Sequence, residues 1–235
     1  FEFLGQDYIN GKLNALGFDN TKIFHRLSVE DSDNLNTKKV FFFLEKDSIY
    51  FQTFNREIDP NEINGLKKGK KFYNNNGDLV RKPMDFSKKN RISIDDLHEM
   101  TTQVFIPEKY KNKNSFKLEN KQRDFIWDAM SALPSKLGLS KKKYPGNFVK
   151  FFVRGDEKVN DTIKNNLKIY NKVGTGYGQL TETAFIHSKN KKIILTASIY
   201  VNDNNIINDD DYEYESVGIP FFASLGKEII SNLEK

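Results

Sequence analysis

The sequence predicts an α+β fold, an antiparallel sheet flanked by helices. Three observations predict it. Residues 167–175, 181–188 and 191–201 are rich in β-branched and aromatic side chains and are separated by only a few residues; strands joined that closely pair antiparallel. Residues 93–105 and 216–234 repeat apolar side chains at helical spacing. Helices and hairpins come first and a meander with a closing helix comes last, which is segregation rather than βα alternation.

In chain order, residues 1–16 read as an amphipathic helix, with Phe1, Leu4, Tyr8, Ile9, Leu13 and Leu16 near one stripe and Gly17 placed for a left-handed cap. The polar stretch 22–39 reads as loop. "VFFFLEKDSIYFQTF", 40–54, reads as a hairpin, and "KKFYNNNGDLVRK", 70–82, as a second one turning at Asn76-Gly77. Residues 55–69 and 83–92 read as connections. Ser93 suits an N-cap with Asp96 three positions on; Leu97, Met100, Thr101, Val104 and Phe105 make the helical face, and Pro107 follows the stop. "NKQRDFIWDAMSALPSKLG" is a further helix ending around Pro134 and Gly138. Residues 144–156 mix loop with a short apolar run. The last helix carries Phe222, Leu225, Ile229 and Leu233 on one side. The chain is read as one domain over 1–235: a mostly helical part with hairpin insertions over 1–166, then the meander and closing helix over 167–235.

Composition excludes several classes. Apolar residues at 37% and aromatics at 13% supply a core, which argues against wholesale disorder. The net charge of +5 is diluted over 235 residues, and no nucleic-acid-binding motif accompanies the short lysine runs, so no nucleic acid is expected as partner. With no cysteine, disulfides, thiolate metal sites and a thiol nucleophile are excluded. No apolar run is long enough for a membrane-spanning helix. The chain opens in mid-helix without Met or signal-peptide pattern, and reads as a mature product or a fragment.

The stretch "NKVGTGYGQLTETAFI", 171–186, carries the chemistry. Its glycines are spaced G-x-G-x-G and lead into a strand, so neither a dinucleotide fingerprint nor a P-loop fits. Glycine here serves either a bulge or bend in the strand, or close approach of another group to the backbone. "KVGTGYGQLTETAFI" followed by "KKIILTASIYVN" and a terminal helix resembles the third conserved block, K-[TS]-G on a strand, of serine β-lactamases and penicillin-binding enzymes. The stretch 171–226 is closer still to class A-like serine hydrolases of Bacteroidetes, and "GDLVRKPMDFSKKNRISIDDLHEM" and "FEFLGQDYIN" also resemble that group.

The resemblance implies a β-lactamase/transpeptidase-like fold and a serine hydrolase acting on an amide or ester, a β-lactam among the candidates, through an acyl-enzyme. This chain would represent the C-terminal two-thirds, without the N-terminal strands and the S-x-x-K nucleophile helix. Lys172 would hold a substrate carboxylate, Gly174 and Gly176 would let substrate lie against the backbone, and the Thr175 N–H would serve the oxyanion. Val173 departs from the pattern, which has a hydroxyl there. "RLSVEDSDNLN", 26–36, falls where the family's Ω loop carries a water-activating Glu: Glu30, Asp31 and Asp33 are candidates beside the plainer reading of a solvated acidic loop. "SKNK", 188–191, does not open a helix and does not replace the nucleophile. The resemblance also implies a small-molecule acyl substrate, no metal or organic cofactor, and a periplasmic or secreted location. The alternative is a catalytically inactive binding or structural module with the same fold. His25, His98 and His187 have no metal-ligand spacing, and "NDDDYEYE", 208–215, lacks the central glycine of a calcium loop.

Overall fold

The computed structural model describes residues 4–25, 40–44, 47–51, 66–110, 114–138, 149–156, 167–189 and 191–235. The fold is mixed α+β with small, mainly antiparallel sheets. The chain divides into two compact units, Phe1–Lys68 with Pro83–Asp96, and Gly69–Lys82 with Leu97–Lys235. Among the described residues no helix is long and apolar enough to cross a membrane.

In the first unit, α1 (Gly5–Ala15) ends where Gly17 takes φ 89°, the left-handed conformation expected of that glycine. Its apolar stripe is only partly used: Leu4 and Tyr8 are exposed, and Phe18 and Phe24 beyond the helix are buried instead. Asn10 fixes this exit, accepting from the Ile23 N–H at 2.9 Å and donating to the Ile23 carbonyl at 3.0 Å. β1 (Val40–Leu44) and β2 (Asp47–Phe51) form the expected hairpin, in the register Val40↔Phe51. Within 55–69 and 83–92, β3 (Lys67–Lys68) pairs antiparallel with β6 (Met84–Asp85), where the sequence reads as connection. Two residues per strand are too few for an alternating pattern to register.

In the second unit, β4 (Lys71–Tyr73) and β5 (Leu79–Val80) form the other expected hairpin. The Asn74 side-chain oxygen accepts from the Asn76 and Asp78 N–H groups, and Gly77 has φ 81°. β10 (Ile206–Ile207) adds to β4 in parallel, a long-range pairing without a local signature. α2 (Ile94–Phe105), whose first turn belongs to the first unit, is capped by Ser93, whose Oγ accepts the Asp96 N–H at 3.0 Å. α3 (Asn120–Ser131) starts with a capping box between Glu119 and Gln122.

The main sheet is the expected meander: β7 (Leu167–Gly176), β8 (Gln179–Ser188) and β9 (Lys191–Tyr200), in the order β7-β8-β9. Its two faces differ. Tyr170 and Phe185 meet Phe105 and Trp127 of α2 and α3 in one aromatic cluster. The opposite face, with Ile169, Leu180, Ala184 and Ile186, packs on Phe152 and Phe222. Phe152 belongs to a short kinked turn, α4 (Phe151–Arg154), and Phe222 to α5 (Ile219–Leu233), which starts three residues later than expected, after a wide helical turn at Tyr214–Gly218. Gly226 lets α5 approach, since a Cβ there would stand 2.6 Å from the Val153 nitrogen.

Candidate functional site

The β7–β8 connection is two residues long, with Tyr177 at φ 56° and Gly178 at φ 81°. Two successive positive φ values match the turn whose twist suits a tight hairpin, and Tyr177 occupies a conformation costly for its type. Gly178 is required there: a Cβ would lie 2.8 Å from the Asn202 Cβ. Its N–H donates to the Tyr214 hydroxyl at 2.8 Å.

This turn sets which backbone groups of β7 are used. Residues flanking a two-residue hairpin loop exchange their hydrogen bonds, and Gly176 pairs with Gln179. The Val201 N–H donates to the Gly178 carbonyl at 2.7 Å, so even-numbered residues of β8 face β9. Backbone groups of Lys172, Gly174 and Gly176 therefore face β8, and those of Val173 and Thr175 point away from it. Among the described residues β7 pairs on that one side only. The Thr175 N–H is thus directed to an open strand edge.

Gly174 and Gly176 are unlike Gly178. Neither has positive φ, and a Cβ at either would meet nothing within 4 Å. Among the described residues, packing and backbone geometry give no reason for glycine at these positions, and the bulge or bend that the sequence leaves open is absent from an uninterrupted ten-residue ladder.

Lys172 is exposed, and its ammonium donates to the Val173 carbonyl at 2.7 Å. Val173, on the other face, packs against the core. The register places Lys172 opposite Thr183 and Gly174 opposite Thr181. Thr181 shares a 2.7 Å hydrogen bond with Ser198, and Thr183 bonds Thr101 and Thr196, with the His98 ring on Thr196 at 3.1 Å. Hydroxyl-bearing side chains therefore stand next to the cation across the sheet, a feature single residues scattered over 100 positions do not signal in sequence.

Glu30, Asp31 and Asp33 lie outside the described residues. Two S-x-x-K strings lie within them. Ser188 ends β8 at the far end of the sheet from Lys172 and donates to Glu234. Ser224 and Lys227 sit exposed on α5, with Lys227 bonded to Asp156 at 2.7 Å. Since α5 packs on the face opposite Lys172, neither serine is brought to the β7 edge. A cleft bordered by Val153, Arg154, Leu167, Lys227 and Ile230 also opens at that far end. Among the described residues no group of three or more His, Asp or Glu side chains gathers as metal ligands would.

Behind the β7 edge lies a buried polar network. Lys150 Nζ donates to the Met130 carbonyl and to Asn171 Oδ1, both at 2.6 Å. The Asn171 amide group donates to the Val149 carbonyl and to Glu182, and the other Glu182 oxygen accepts the Phe152 N–H at 2.7 Å. Burial pushes the Glu182 carboxyl up to about 8, against the opposing pull of the Phe152 and Asn171 N–H groups and of Lys150. Burial pushes the Lys150 ammonium down to about 8, with Glu182 opposing.

The chain matches no model of a known protein family. No curated protein matches it.

Proposed function

We propose that the chain is part of a serine-dependent acyl-transfer hydrolase of the β-lactamase/penicillin-binding type, with that family's fold, acting on an amide or ester through an acyl-enzyme. The observation that carries this reading is the open edge of β7, with two glycines that nothing in the described residues requires and the Thr175 N–H turned outward between them. An extended substrate can lie against such an edge as an added strand, and an outward amide can hold a developing oxyanion. Lys172 supplies a positive charge on the same strand. The serine nucleophile comes from residues other than Ser188 and Ser224. In the acyl-enzyme step the serine oxygen bonds the carbonyl carbon and the amine or alcohol leaves; water then releases the acid.

A second reading is a binding or structural module of the same fold. Its supporting observation is that the Lys172 ammonium is exposed and satisfied by its neighbour's carbonyl. Labelling of the complete gene product with a fluorescent penicillin and with a fluorophosphonate separates the two. The hydrolase reading expects covalent labelling, weakened by Gly174→Val, which puts a bulky side chain on the sheet face beside Lys172, and for the penicillin by Lys172→Ala. No labelling by either probe, with no hydrolysis of a chromogenic cephalosporin, sinks the hydrolase reading in favour of the module.

A further inference from the structure

The segment before β7 is strained at two valines. Val149 has φ 68° and Val153 has φ 75°, a region that β-branched side chains avoid and that persists only where surroundings impose it. Between them lie Lys150 and Phe152, 1% and 0% exposed. The Val149 carbonyl is taken by Asn171, and the Phe152 N–H by Glu182. Lys150 reaches both Asn171 and the end of α3 at Met130. Every described hydrogen bond of the buried network thus ends on the strained segment, on the end of α3, or on the two strands of the hairpin. On the other side, the Val153 nitrogen faces Gly226 of α5 at a distance that leaves no room for a Cβ.

We propose that Lys150, Asn171 and Glu182 form a clasp that holds the strained 149–153 segment against the back of β7 and thereby positions the strand edge carrying Lys172 and Thr175. Asn171 is the link: its side chain is gripped behind the strand, and its neighbour Lys172 stands on the front. These are positioning residues, acting through β7. The role in positioning the edge rests on the proposed hydrolase reading; the clasp itself does not.

Two substitutions test it. Glu182→Gln replaces one accepting oxygen by an NH2 group that must face an N–H. In amide hydrogen exchange of the complete gene product, the Lys172 and Gly174 amides, which face β8, are expected to exchange at least tenfold faster, with the β9 amides of Ala197 and Ile199 unchanged. Uniform acceleration over all three strands, or none, overturns the clasp. Val149→Gly leaves every network group in place and relieves one strained position. It is expected to raise the thermal midpoint alone, and to bring exchange in Glu182→Gln back to within about threefold of the parent. A lowered midpoint overturns the proposal, whether or not Glu182→Gln folds. In the labelling arm, the rate with limiting fluorescent penicillin is expected to fall at least tenfold in Glu182→Gln and to recover with Val149→Gly. Undiminished labelling overturns the positioning role. An unlabelled parent protein sinks the hydrolase reading and leaves exchange to decide the clasp.

Discussion

Substituting the three glycines of the β7–β8 hairpin one at a time separates glycines held by the fold from glycines kept for another purpose. At Gly174 and Gly176 an alanine Cβ meets nothing within 4 Å and the backbone is ordinary strand. Alanine there loses less conformational entropy on folding than glycine, so each change should stabilise the protein by about 0.4–1 kcal/mol. At Gly178 the backbone sits at φ 81° and the Cβ would stand 2.8 Å from the Asn202 Cβ and 3.1 Å from the Val201 carbonyl. Left-handed backbone costs an alanine about 1–2 kcal/mol, and forcing a methyl into occupied space adds on the order of 1–3 kcal/mol. Gly178→Ala should therefore destabilise by roughly 2–5 kcal/mol. Urea denaturation at constant slope reads all three as midpoint shifts. A loss above about 1 kcal/mol in Gly174→Ala, beyond any strand-propensity effect, would mean that this glycine has a packing duty. The glycine would then be explained by the fold itself, and the main support for the proposed function would be lost.

The buried pair predicts an unusual pH profile. The folded Glu182 carboxyl is raised to about 8, so its contribution to stability is fully present below its unfolded value of 4.5 and is lost as pH rises through 8. Lys150 is lowered from 10.5 to about 8, so stability returns as pH climbs from 8 toward 10.5. Urea midpoints should pass through a minimum near pH 8 on these two groups, with the acid limb flattened in Glu182→Gln; a maximum at that pH would mean that the pair is ionised and mutually stabilised. Phe222, fully buried between α5, the sheet and Phe152, should cost about 3–5 kcal/mol when changed to alanine, measured by the same denaturation; a cost below about 1 kcal/mol would place the core elsewhere.

What was legible in the sequence is what local chemistry specifies. The meander could be read because all three strands are long and their connections short, so alternation and proximity leave one pairing pattern. Ser93, Gly17 and Asn76-Gly77 announced a cap, a helix end and a turn through interactions within a few residues, and each is found in that role. The pairing of β10 with β4 spans more than 130 positions and leaves no trace in either two-residue strand. The exposure of Leu4 and Tyr8 was equally hidden, because helical spacing gives a stripe but not what covers it.

The candidate site shows the same division more sharply. Lys172, Gly174, Thr175 and Gly176 were marked by a string of letters, and the register and the two-residue turn then determine which of their amides leave the sheet. Yet the string G-x-G-x-G contains two kinds of glycine. Gly178 is demanded by its own φ and by Asn202, twenty-four residues away; Gly174 and Gly176 are demanded by nothing in the described residues. Behind them, Lys150, Asn171 and Glu182 read in sequence as three ordinary polar residues of loop and strand. They become a unit only when the hairpin turns Asn171 and Glu182 to the same face and the strained segment lays Lys150 across them. A buried ionisable group is costly unless partnered, so burial makes this trio informative, and burial of a polar residue inside a strand is the property that a linear pattern of charges cannot express.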